Sequence, residues 1–93
     1  MTGTPCQIER IGEHEYLIHL VEREDEIEFR IRATPGVMSH LGLAVDDEPR
    51  VVAETVALLT ERQLAADLPQ ALDLDDVEAS YADYLAVLTE RLR

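Results

Sequence analysis

From Glu26 to Ala33 the chain alternates strictly. Ile27, Phe29, Ile31 and Ala33 are apolar, and Glu26, Glu28, Arg30 and Arg32 between them are charged. A period of two belongs to a β-strand with one face buried and the other in water. The preceding run, Glu15 to Glu22, reads as a second strand, with Tyr16, Ile18 and Leu20 on one face and Leu17, His19 and Val21 on the other. An even-length hairpin loop centred on Glu24-Asp25 pairs Leu20 with Phe29 and Ile18 with Ile31, gathering the large residues on one side. The same register sets His19 opposite Arg30 and Leu17 opposite Arg32. Cys6 to Ile11 supplies a third strand, and a three-residue loop, Gly12-Glu13-His14, sets Ile8 opposite Ile18 and Cys6 opposite Leu20.

Past residue 34 the period changes. Thr34-Pro35-Gly36 ends the last strand, because Pro lacks the ladder donor and Gly favours a turn. Val37 to Leu43 fits one or two helical turns stopped at Gly42 or shortly after. Asp46-Asp47-Glu48-Pro49 has the form of a helix start, with acids at the positive end and Pro in the first turn. That helix runs to about Ala66, with Val52, Thr55, Val56, Leu59 and Gln63 along a stripe widened by Leu58. Asp75-x-x-Glu78 has the form of a capping box with Asp as the cap. Val77, Tyr81, Tyr84, Leu85, Leu88 and Leu92 then keep helical spacing to the end of the chain. The expected fold is α+β over a single small domain, 1–93. A three-stranded antiparallel meander (about 6–33) is followed by a short helical turn and two helices (about 48–66 and 75–92) packed on one sheet face.

Composition narrows the functions this fold could serve. Apolar residues are 46% of the 93 and charged residues 30%, so the chain can bury a core. The 20 Asp and Glu face only 8 Arg and no Lys, a net charge of −12. Nucleic-acid binding draws its affinity from cations that displace counterions, and anionic membranes attract the same cations. Neither partner is expected. No apolar run approaches the ~20 residues of a membrane span, and the start lacks the basic flank and apolar stretch of a signal peptide. Cytoplasmic location is the expectation. Lys and Asn are absent while Ala, Leu, Val, Arg and Asp abound, the bias of a GC-rich, bacterial coding sequence. Without Lys, Schiff-base chemistry and lysine acylation are excluded.

No run of residues specifies a reaction. His14-Glu15-x-x-x-His19 misses the zinc-protease spacing, which needs two His four apart on one helical face. Asp73-x-Asp75-Asp76 has Glu78 where a calcium loop needs Gly, and Tyr84 where it needs Glu. Ser39-His40 are adjacent and so do not face each other, and the sequence places no third member of a triad. Cys6, the sole cysteine, cannot form an internal disulfide. The four glycines make no phosphate-binding loop. No cofactor or metal is therefore expected.

What remains points to association. The residues singled out for interaction are Tyr81 and Tyr84, three apart beside Leu85 and Leu88, and His19, Arg30 and Arg32 on the second sheet face. Core packing with the hydroxyls at its edge is the plainer account of the tyrosines, and an interface the functional one. The leading expectation is a non-enzymatic accessory or interaction protein with an unidentified partner, basic in one version, or a homodimer. The alternatives are a small ligand-binding or enzymatic domain using His19, Arg30 and Arg32, and an acidic nucleic-acid mimic that masks a basic partner.

Overall fold

The computed structural model describes residues 6–92. Residues 1–5 and 93, part of the expected domain, lie outside the described residues. Three strands open the chain: β1 (Cys6–Gly12), β2 (Glu15–Glu22) and β3 (Asp25–Arg32). The helical part follows, with α1 (Pro35–Leu41), a 3₁₀ turn (Val45–Asp47) leading into α2 (Glu48–Arg62), and a second 3₁₀ turn (Ala65–Asp67). Then come β4 (Ala71–Asp73), α3 (Leu74–Ser80) and α4 (Tyr84–Arg91). The sheet order is β1-β2-β3-β4, and β4 joins β3 in parallel. The helices cover one face of this α+β sheet, as the period change implies.

The first hairpin keeps the expected register, with Cys6 opposite Leu20 and Ile8 opposite Ile18. A bulge between Arg10 and Gly12 takes up the odd residue of the loop. The second hairpin is corrected by two residues. Its turn is Arg23-Glu24, so Leu20 faces Ile27, Ile18 faces Phe29 and Tyr16 faces Ile31. His19 consequently faces Glu28, and Leu17 faces Arg30. Both turn residues have positive φ, 52° and 72°. This is the geometry of a two-residue turn whose twist matches the flanking strands. A two-residue slip leaves every side chain on its expected face, so the core survives the correction.

That core is Tyr16, Ile18, Leu20, Phe29 and Ile31 from the sheet, met by Val37, Val51, Val52, Leu58, Leu59, Leu74, Val77, Tyr84 and Leu88. Three helical expectations are also corrected. First, α2 stops at Arg62 rather than Ala66, because Gln63 is extended and the Glu22 carboxylate captures the amides of Ala65 (2.8 Å) and Ala66 (3.4 Å). Second, the last helix is two helices, since Tyr81 leaves the helical region at φ −126°, ψ 109°. Third, the cap of α3 is Asp73, which accepts from the Asp76 amide at 2.8 Å. Asp75 instead accepts from the Thr34 hydroxyl (2.8 Å) and donates its amide to the same oxygen (3.1 Å). This exchange ties the start of α1 to the start of α3. Gly36 suits this junction, because a Cβ would sit 3.0 Å from the Asp75 carboxylate, which would have to give way by a few tenths of an ångström. Gly42, at φ 70°, ends α1 in the left-handed conformation that glycine favours.

Candidate functional site

Strand alternation turns Leu17, His19, Val21, Glu26, Glu28, Arg30 and Arg32 outward, onto the face that no helix among the described residues covers. Arg30 and Arg32 stand two apart on β3 and flank an open depression of about 340 Å³ with Glu15, Ala71, Leu72, Asp73 and Asp76. Among the described residues, neither guanidinium has a carboxylate within ion-pair distance. The helical arginines differ. Arg62 grips Asp83 with two bonds (2.9 and 2.6 Å), Arg91 holds Glu61 at 2.7 Å, and Arg50 donates to the Leu92 carbonyl at 2.9 Å. The Arg62 guanidinium holds the Asp83 carboxyl below its ordinary range through these bonds. Cations of the helices are therefore engaged within the chain, and those of β3 are not.

His19 stands apart from this pair. Its ring reaches Glu26 (3.2 Å) and Glu28 (3.8 Å), beside a separate depression lined by Gln7, Leu20 and Val21. The register correction separates it from Arg30, so the structure brings together two of the three expected cationic residues. The tyrosines are separated too. Tyr84 is fully buried, its hydroxyl 2.7 Å from that of Thr55, which itself donates to the Val51 carbonyl. Burial pushes the Tyr84 phenol up to about 12. Tyr81 is half-buried in the break between α3 and α4, accepting from Gln63 at 2.7 Å, with Arg62 stacked 5.3 Å from its ring centre. Tyr84 thus presents no surface, and the tyrosines do not form a shared patch.

A buried carboxylate, unforeseen from the pattern of the chain, completes the inner polar groups. Glu48 is 2% exposed at the start of α2. One oxygen accepts from the Tyr16 hydroxyl at 3.0 Å, and the other lies 2.5 Å from Nδ1 of His14. His14 sits in the β1–β2 turn at φ 62°, its side chain 33% exposed. Its other nitrogen lies 3.9 Å from the exposed Glu13 carboxylate. A buried carboxylate that orients an imidazole is an arrangement used for proton transfer, and also for joining distant segments. Here it joins a strand turn to a helix 34 residues further on. The signal that could have exposed it was Tyr16. A tyrosine on the buried strand face needs a hydroxyl partner, and the nearby acids of the next helix start were the candidates.

Cys6 lies at the outer edge of β1. Desolvation by its groove pushes the thiol up, away from the reactive thiolate. No helix among the described residues is long and apolar enough to cross a membrane, and no group of three or more His, Cys, Asp or Glu among them is placed to hold a metal ion. Comparison with protein-family models, curated proteins and solved structures gives no match to the chain.

Proposed function

We propose that the chain is a non-enzymatic interaction module that docks a protein partner on the uncovered face of its sheet. One observation carries the reading. Arg30 and Arg32 lie on an open face, and although Glu15, Asp73 and Asp76 line the same depression, no carboxylate among the described residues is within ion-pair distance of either, in a chain with 20 acids and a net charge of −12. Apolar area lies close by, from half-buried Leu17 opposite Arg30. Arginine with adjacent apolar area is the composition of interface centres. The partner suited to it presents carboxylates beside apolar side chains. The −12 charge disfavours nucleic acid and anionic membrane as occupants, and a cytoplasmic setting suits the module. The opposite partner, a basic protein bound by the acids, has no comparable focus, since the acids are spread over both halves of the chain.

Capture from the native host tests this. Arg30→Gln with Arg32→Gln should abolish retention of a protein that the unaltered chain retains, with little change in melting temperature. Retention of the same protein by both chains refutes the docking face. A second reading, binding of a small anion, rests on the depression beside Arg30 and Arg32. It predicts that citrate shifts the amides of residues 15, 30–32 and 71–73 ahead of residue 19. Even or absent shifts refute it.

A further inference from the structure

We propose that the chain forms a twofold homodimer through the open edge of β1. This surface is distinct from the docking face, and the proposal stands or falls independently of it.

The Ala33 amide donates to the His14 carbonyl at 2.7 Å, continuing the β2–β3 register by one pair. In an antiparallel ladder, hydrogen-bonded pairs alternate with unbonded ones. Tyr16, Ile18 and Leu20 therefore direct their backbone groups to β3, and Leu17 and His19 direct theirs to β1. The partners of Leu17 and His19 are Glu9 and Gln7. What is left facing outward is the N–H and C=O of Cys6, Ile8 and Arg10, a row of strand donors and acceptors with no neighbour among the described residues. Long open edges of this kind pair with another strand unless something blunts them. Bulge, charge and proline are the usual means, and the bulge of β1 lies beyond Arg10.

Beside this edge, on the helix side, runs an apolar groove of about 350 Å³ between β1 and α2. Its walls are mainly apolar, with Ile8, Ala53, Val56 and Ala57 among them, and Glu61 also lines it. On the α2 side the small residues Ala53 and Ala57 line this space. An added strand would drop its inward side chains into that space.

A second copy fits the edge by its own sequence. A twofold axis perpendicular to the sheet keeps both helical layers on one side, and it pairs residues symmetrically about one position. Centred on Ile8, it opposes Ile8 to the partner's Ile8, Cys6 to the partner's Arg10, and Gln7 to the partner's Glu9. No like charges meet, and both Ile8 side chains enter the groove. Centred on Glu9 it opposes Glu9 to itself, and centred on Arg10 it opposes Arg10 to itself. Like charges directly opposite are destabilising, and a register centred on Cys6 or Gln7 pairs fewer of the described residues, so the register on Ile8 is the longest that opposes no like charges. Six edge hydrogen bonds follow from its geometry, two from each outward-facing residue pair.

The test uses the full chain. Sedimentation should give twice the mass of one chain at high concentration. The dimer should tighten as NaCl rises, because salt screens the repulsion between two copies of −12 while leaving apolar and backbone contacts in place. Ile8→Cys in a Cys6→Ser background should oxidise to a disulfide-linked dimer, since opposed residues on paired strands fall within disulfide reach. Glu9→Cys in the same background should cross-link poorly. Arg10→Pro removes an outward N–H that the β1–β2 ladder does not use, so it should leave melting unchanged and abolish the dimer. A monomer at every concentration overturns the proposal. So does efficient cross-linking through Glu9→Cys with none through Ile8→Cys, or a dimer untouched by Arg10→Pro. Should Arg10→Pro fail to fold, the two cysteine variants decide alone.

Discussion

The two faces of the sheet are built from the same strands, residue by residue in alternation, yet they obey different rules. Inward, every polar group is matched: Tyr16 and His14 to Glu48, Tyr84 to Thr55, and no buried side-chain polar atom among the described residues lacks a partner. Outward, the pairs are loose or missing. His19 spans two exposed glutamates, and Arg30 and Arg32, though acids line the same depression, have none within ion-pair distance among the described residues. Buried polar groups are costly when unmatched, whereas water satisfies exposed ones. Satisfaction on the inner face therefore follows from folding itself. Only on the outer face does an unmatched cation carry information about something beyond the chain.

The sharpest way to break this contrast is a pair of neighbours on β3. Phe29→Ala should cost about 3–5 kcal/mol in urea melts, and Arg30→Ala less than about 1 kcal/mol. Similar losses at the two positions would erase the distinction between the faces.

Alkaline titration probes the inner polar groups next. The folded phenol of Tyr84 titrates at about 12, against 10.0 without the fold. The raised value means the folded state holds the proton more tightly. Its contribution is thus complete below pH 10 and disappears as pH rises through 12. The shift corresponds to roughly 2–3 kcal/mol, and Tyr84→Phe should flatten the fall in melting temperature over that interval. An equally steep fall in the variant would place the titration elsewhere.

Glu48 and Glu26 compare one chemistry at two depths, since each meets a histidine. Glu48→Gln keeps the shape but weakens two bonds to a buried carboxylate, so a loss of about 1–2 kcal/mol is expected. Glu26→Gln, at an exposed pair, should cost under about 0.5 kcal/mol. Thermal melts of both variants decide whether burial sets the difference. The smallest effect separates Asp73 from its neighbour. Asp73→Ala removes the observed cap of α3 and should cost about 1 kcal/mol. Asp75→Asn, which keeps an acceptor for Thr34, should cost less in the same assay.

Much of this architecture was legible because period is a local property. Alternation over 26–33 and helical spacing over 50–62 named the faces, and nearly all the core residues follow from them. Register was not legible, because a slip of two preserves every face. Turn chemistry alone could have fixed it, and Arg23-Glu24 carries none of the Asn or Gly that marks a positive-φ turn. β4 is three residues long, too short to show a period. The break at Tyr81 has no Gly or Pro to announce it, and seating Tyr84 in the core overrides helical propensity there. Of the candidate site, the pattern placed Arg30 and Arg32 together and outward. It misplaced His19 through the register, and it hid Glu48 because an acid at a helix start reads as solvated.

The parallel pairing of β4 has a kinetic consequence. The β2–β3 turn closes two residues, whereas Arg30 meets Ala71 across 41 positions (71 minus 30). Loop-closure entropy makes the second event harder by roughly 2–3 kcal/mol. The meander should therefore assemble early in folding and the β4 ladder late, once α1 and α2 have brought the chain back. In native-state hydrogen exchange the amides of Arg30 and Leu72 should open before that of Ile18, without global unfolding. The depression beside Arg30 and Arg32 is completed by the last strand to arrive. Detachment of β4 would dissolve it while both hairpins stay intact, which makes occupancy of that surface sensitive to a local equilibrium far cheaper than unfolding.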